Sequence, residues 1–162
     1  MSIFKKIAKY ISYLIAGLLV LLALFIIVVN VAPNLIFGGI SRSHIEANVP
    51  NESDFDTFLK RDLDAYFAQK LKANATVEYE FLRNGPTQIG IAYPKYYMWL
   101  SVRTSAVELQ GAARISAMDK KTFLVTDFIS IDDMKASPGI LEQIFPVAVV
   151  DKIKQHVDQL GE

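Results

Sequence analysis

Residues 10–29 carry no charged side chain, and their only polar interruptions are Tyr10, Ser12 and Tyr13. A helix of about 20 residues at about 1.5 Å rise covers about 30 Å, the thickness of a bilayer's hydrocarbon core. Leu, Ile, Val, Phe and Ala fill the rest without an amphipathic stripe, which argues against a helix lying flat in the interface. The segment also accounts for a mean hydropathy of +0.27 in a chain with 52% hydrophobic and 21% charged residues. The excess is local, so the expectation is one membrane crossing rather than an unusually apolar core.

Charge sets the expected direction of that crossing. Lys5, Lys6 and Lys9 precede the span, and the first basic residue beyond it is Arg42. The positive-inside rule therefore puts the N-terminus in the cytoplasm and everything beyond the span on the far side. Tyr10 and Tyr13 sit where an aromatic belt anchors a helix at the bilayer surface. A cleaved signal peptide has a similar charged start, but this apolar run is longer than the usual ~7–15 residues. The candidate cleavage site Asn30-Val31-Ala32 begins with Asn and is followed directly by Pro33, so an uncleaved anchor is expected. Ser12 and Ala16, with Gly17 adjacent, give the weak small-residue pattern of helix association, which leaves self-association through the span open.

The expected organisation is a cytoplasmic tail at 1–9, a transmembrane helix at 10–32, a tether at 33–52 and an extracytoplasmic domain at 53–162. Pro33, Pro50 and Gly38-Gly39 mark the tether. All 17 acidic residues lie beyond the span, where three of the 17 basic ones are missing, so this portion carries a charge of −3. Zero cysteines exclude disulfides, thiolate metal sites and a cysteine nucleophile. A formal charge of zero over the whole chain argues against a general nucleic-acid binder. The absent cysteines, short tail and neutral composition together suggest a bacterial inner membrane with a periplasmic domain.

In the domain, Ser53 followed by Asp56 resembles a capping box, and Phe55, Phe58, Leu59, Leu63, Tyr66, Phe67 and Leu71 recur at helical spacing. The period then falls to two. Val77, Tyr79 and Phe81 alternate with glutamates up to Asn84-Gly85-Pro86; Ile89, Ile91 and Tyr93 suggest a second strand and 95–102 a third. A fourth strand carries Val107, Leu109, Ala113, Ile115 and Ala117, with a bulge expected at Gly111, and a fifth runs from Phe123 to Ile131. Asp127 falls on the buried parity of that last strand, which a bulge, an edge position or a function would explain. Ser137-Pro138 and Pro146 start C-terminal helices, with Gly161 suited to the final cap. The expected fold class is α+β: a curved antiparallel sheet of about five strands, with an N-terminal amphipathic helix and C-terminal helices packed on its concave face.

Chemistry-bearing constellations are sparse. His44 falls in the tether and His156 on the polar side of the last helix, neither at metal-ligand spacing, and no nucleophile elbow is present. Asp127, Asp132 and Asp133 lack the regular ligand pattern of a calcium loop. The triplets at Asn51 and Asn74 fit glycosylation signals that matter only in a eukaryotic secretory pathway. No catalytic residue, cofactor or metal ligand is assigned. One stretch stands out: if Met98, Leu100 and Val102 face the helix, Tyr96 joins them, while Tyr97 and Trp99 point the opposite way. Unless helices or a loop cover that side, Tyr96, Tyr97 and Trp99 would contribute an aromatic interaction surface.

The layout is similar to that of single-pass assembly factors of bacterial secretion machines, a likeness of architecture without a shared motif. The run FLVTDFISIDD before a proline-started helix looks somewhat like the tubular lipid-binding class. The expected function is a non-catalytic protein-interaction or scaffold module of the cell envelope. Its partners are then the membrane it spans and an envelope protein; the alternative is a domain that binds lipid or another apolar ligand.

Overall fold

The computed structural model describes residues 3–89 and 91–160. The chain divides into two units, Met1–Ile40 and Ser41–Glu162. Helix α1 (Ile3–Asn48) makes up the first unit and runs into the start of the second. Within it, Lys9–Val28 is long and apolar enough to cross a membrane, and none of its described side chains is buried. Leu14, Leu18 and Phe25 are each more than 60% exposed. Leaving such a side chain in water instead of burying it costs about 1.5–3 kcal/mol. A hydrocarbon surrounding removes that cost.

Of the residues 33–52 expected to form a tether, those up to Asn48 are helical. Pro33 removes one N–H and Gly38-Gly39 lower helix propensity by about 1 kcal/mol each, which weakens a helix without forbidding it.

In the second unit, α2 (Glu52–Leu71) starts two residues earlier than the capping-box reading implies. Its N-cap is Asn51, whose carbonyl accepts from the Asp54 and Phe55 amides at 3.0 Å. Leu59, Leu63 and Phe67, spaced four apart, form the buried stripe. Lys72 closes the helix in the left-handed conformation, its N–H bonded to the Ala68 carbonyl.

Among the described residues four strands follow, where about five are expected: β1 (Thr76–Phe81), β2 (Lys95–Arg103), β3 (Glu108–Asp119) and β4 (Thr122–Ser130). They form an antiparallel sheet in sequence order. The expected strand at Ile89, Ile91 and Tyr93 is part of the β1–β2 connection, which pairs with β2 through the isolated bridge Thr87↔Lys95. Two carboxylates of α2 serve the outer strands: Asp64 accepts from the Val77 amide at 2.8 Å and Asp62 from the Phe123 amide at 2.7 Å. Both bonds satisfy backbone donors on edge strands.

Both faces of the sheet are covered, not one. Tyr96, Met98, Leu100 and Val102 of β2 pack with Leu59, Leu63 and Phe67 of α2. The alternate residues Tyr97 and Trp99 pack with α3 (Ile131–Ala136), α4 (Ile140–Ile144) and α5 (Val147–Leu160) through Met134, Leu141, Phe145 and Ile153. A strand buried on both faces loses the alternation of polar and apolar residues, which is why 96–100 is continuously large and apolar.

Gly111 is not a bulge. It pairs with Leu100 on one side and Ser130 on the other. A Cβ there would lie 2.8 Å from the Ser130 Cα and closer still to the Ile129 carbonyl, so glycine permits a close backbone approach. The irregularity lies further on: Arg114 pairs with Asp127 and Ile115 with Val125, leaving Thr126 as the extra residue. That bulge inverts the parity of β4. Phe123 and Val125 belong to the cluster on the α2 face, and Ile129 to the cluster on the other.

The C-terminal helices also begin differently from expectation. Ile131 opens α3 instead of ending a strand, Ser137 closes it, and Gly139 caps α4. Pro146 precedes α5, and its carbonyl accepts from the Val149 and Val150 amides. Gly161 lies outside the described residues.

Candidate functional site

Tyr96, Tyr97 and Trp99 are each only 5% exposed, so they do not form an aromatic surface. Burial pushes the Tyr96 phenol up to about 12, which keeps it neutral within the cluster on the α2 face. The Tyr97 ring meets Phe145 edge-on at 6.1 Å, and its hydroxyl lies 3.0 Å from the Thr87 hydroxyl. Trp99 lies against the His156 ring at 5.2 Å, and His156 Nε2 reaches Glu80 at 3.2 Å. These side chains fasten the C-terminal helices to the sheet. Sheet parity alone could not exclude a free outer face; the helices of 131–160 supply the cover.

The acidic residues also have structural partners. Asp127 is turned by the Thr126 bulge to meet Arg114 at 2.6 Å, and Arg114 donates in addition to the Ile144 carbonyl at 3.2 Å. With both side chains about a quarter exposed, this pair clamps the end of α4 to the sheet. Asp133 completes a capping box with Ser130. The Ser130 hydroxyl at 2.6 Å and the Ser130 amide hold its carboxyl below the usual carboxylate range. Asp132 lies in the first turn of α3, where a negative charge suits the helix dipole. Among the described residues no group of three or more His, Cys, Asp or Glu could hold a metal ion. His44 lies in α1 near its end. Lys9 sits with its ammonium 5.7 Å from the Tyr13 ring, while the side chains of Lys5 and Lys6 fall outside the described residues.

The feature of the surface that sequence reading missed is the β1–β2 connection, 82–94. Its base is well held. Thr87 and Lys95 exchange backbone hydrogen bonds at 2.8 and 2.9 Å, and the Leu82 amide donates to the Tyr97 carbonyl at 3.0 Å. Gly85 takes a φ of +70°, a conformation suited to glycine in the turn before Pro86. Near the tip the Ala92 amide donates to the Ile89 carbonyl at 3.1 Å, and the Gln88 side-chain amide donates to the Ala92 carbonyl. Ile89 is 85% and Ile91 79% exposed, with Tyr93 half-exposed behind them. From 83 to 95 the segment carries Arg83 and Lys95 and no acid. Its composition held a signal: the residues between the apolar ones are Gly90 and Ala92, whereas in β1 they are Glu78 and Glu80. A half-buried strand alternates with solvated polar residues, and this segment does not.

A cleft of about 200 Å³ opens between the C-terminal helices, lined by Met134, Leu141 and Val157 with Lys135, Lys154 and Asp158 around it. No family model, no curated protein and no solved structure matches the chain.

Proposed function

We propose that this chain is a single-pass membrane protein whose N-terminus is cytoplasmic and whose C-terminal domain lies in the periplasm, where it acts as a non-catalytic interaction or scaffold module of the cell envelope. The supports for orientation are Lys5, Lys6 and Lys9 before the span and no basic residue after it until Arg42. The observation that carries the reading of the domain is its closed interior. Leu59, Leu63 and Phe67 fill one face of the sheet, and Phe145, Val149 and Ile153 fill the other. Such a domain acts through its outer surface. The alternative, a lipid or apolar-ligand carrier, needs a groove between helix and sheet, and these side chains occupy that space. The apolar cleft near Met134 is smaller than the about 300–1,000 Å³ usual for ligand pockets. The two larger clefts, about 340 Å³ beside Glu80 and His156 and about 330 Å³ beside Glu108 and Asp132, are open and lined mainly by polar groups, unlike a site for an apolar ligand.

The test is photocrosslinking in intact cells from exposed positions on separate elements, Val107, Leu124 and Val147. A discrete adduct with one envelope protein from at least one position, and no lipid co-purifying in the domain interior, is the expected result. Uncrosslinked chain at every position, or stoichiometric bound lipid, contradicts the reading.

A further inference from the structure

From the 83–95 segment we propose that the β1–β2 loop is a second membrane contact, its tip inserting Ile89 and Ile91 into the interface of an anionic bilayer. The inference rests on the membrane anchorage proposed above. Two exposed isoleucines in this loop would leave water on reaching the acyl boundary, which is favourable for apolar surface. Tyr93, two residues further along and half-exposed, has one apolar and one polar end, the side-chain type that collects at headgroup level. Arg83 and Lys95 flank the apolar residues, and neither makes an ion pair among the described residues. These two cations, with no acid between them in sequence, stand out on a portion of the chain whose charge is −3. Along the chain, exposed isoleucines with a tyrosine beside them and a cation at either end are the chemistries that suit the acyl edge, the headgroup level and the phosphates of an anionic leaflet.

Because the chain has no cysteine, a single introduced one takes a label uniquely. Ile91→Cys, Leu19→Cys and Val147→Cys in the full chain would each carry an environment-sensitive fluorophore in vesicles of phosphatidylcholine with about 30% phosphatidylglycerol, an anionic surface of the kind that attracts basic residues. The expected result is quenching of position 91 by nitroxide-bearing lipid and protection from aqueous iodide, with position 147 showing the opposite. Charge reversal by Arg83→Glu or Lys95→Glu should lower the inserted-to-free ratio at least about fivefold each, as should omission of the anionic lipid. A position 91 that iodide quenches and lipid does not overturns the proposal. So does protection from iodide without lipid quenching, which would mark a protein partner or a second copy. Lipid quenching at position 19 reports the anchor separately: if 19 is quenched and 91 is not, the loop inference alone fails. If 19 is not quenched, the anchorage itself fails.

Discussion

Replacing Leu18 and Leu22 together by arginine is expected to move the chain from the membrane fraction to the soluble or aggregated one. Both residues lie in the middle of the apolar stretch, four apart and exposed. Arginine at a helix centre costs about 2.5–3.5 kcal/mol on insertion scales, while each Leu, Ile, Val or Phe returns only about 0.3–0.6. The apolar side chains of 10–28 sum to a favourable term on the order of 5 kcal/mol, so two central arginines cancel it. Snorkelling offers little relief so far from either end of the helix. The double alanine variant at the same positions is the control and should still pellet with membranes after alkaline carbonate washing. An arginine variant that pellets as the native chain does would mean that something other than this segment holds the protein to the membrane.

Trp99→Ala is expected to destabilise the domain by about 3–5 kcal/mol, the range for removing a large aromatic from a packed core. Small domains hold only about 5–15 kcal/mol in total, so the variant should lose a large share of its stability. Trp99 joins Tyr97, Ala112 and Ile153 in one cluster and lies against His156, so truncation opens a cavity between the sheet and α5. Urea denaturation of the full chain in detergent micelles, followed by circular dichroism, measures the loss. As the only tryptophan in the chain, Trp99 also reports on the native fold directly. Its emission should be blue-shifted and hardly quenched by iodide until the domain unfolds. A loss under about 1 kcal/mol, below the range for such truncations, or ready quenching in the native state, would contradict the packing of 131–160 against the sheet.

Local pattern was readable where one physical cause dominates. The four-residue spacing of Leu59, Leu63 and Phe67 and the alternation of Val77 with Glu78 each have one structural solution, and both elements form as expected. Asp127 was visible as an anomaly because polar residues rarely occupy a buried parity, and the bulge at Thr126 is one of the explanations that anomaly demanded. The misreadings share a different cause. Ile89 and Ile91 have strand spacing, but pairing depends on a neighbouring edge, and the described residues of this segment meet β2 at an isolated bridge, Thr87↔Lys95, rather than along a ladder. Gly111 is equally suited to a bulge or to close backbone approach, and only the position of β4 decides between them. The same dependence on distant segments hid the burial of Tyr97 and Trp99. Their cover comes from Phe145, Val149 and Ile153, some fifty residues later in the chain. The outward-facing loop was hidden for the converse reason: an apolar residue that nothing covers has the same letter as one in the core.

The most direct test of an anchored domain outside the cytosol is protease added to spheroplasts bearing a tag on the N-terminus, with mass analysis of the products. Proteolysis should remove most of 53–162 while a membrane-bound N-terminal fragment that includes the tag survives. A chain that stays whole until the membrane is broken, or a mature protein that begins near Pro33, contradicts it.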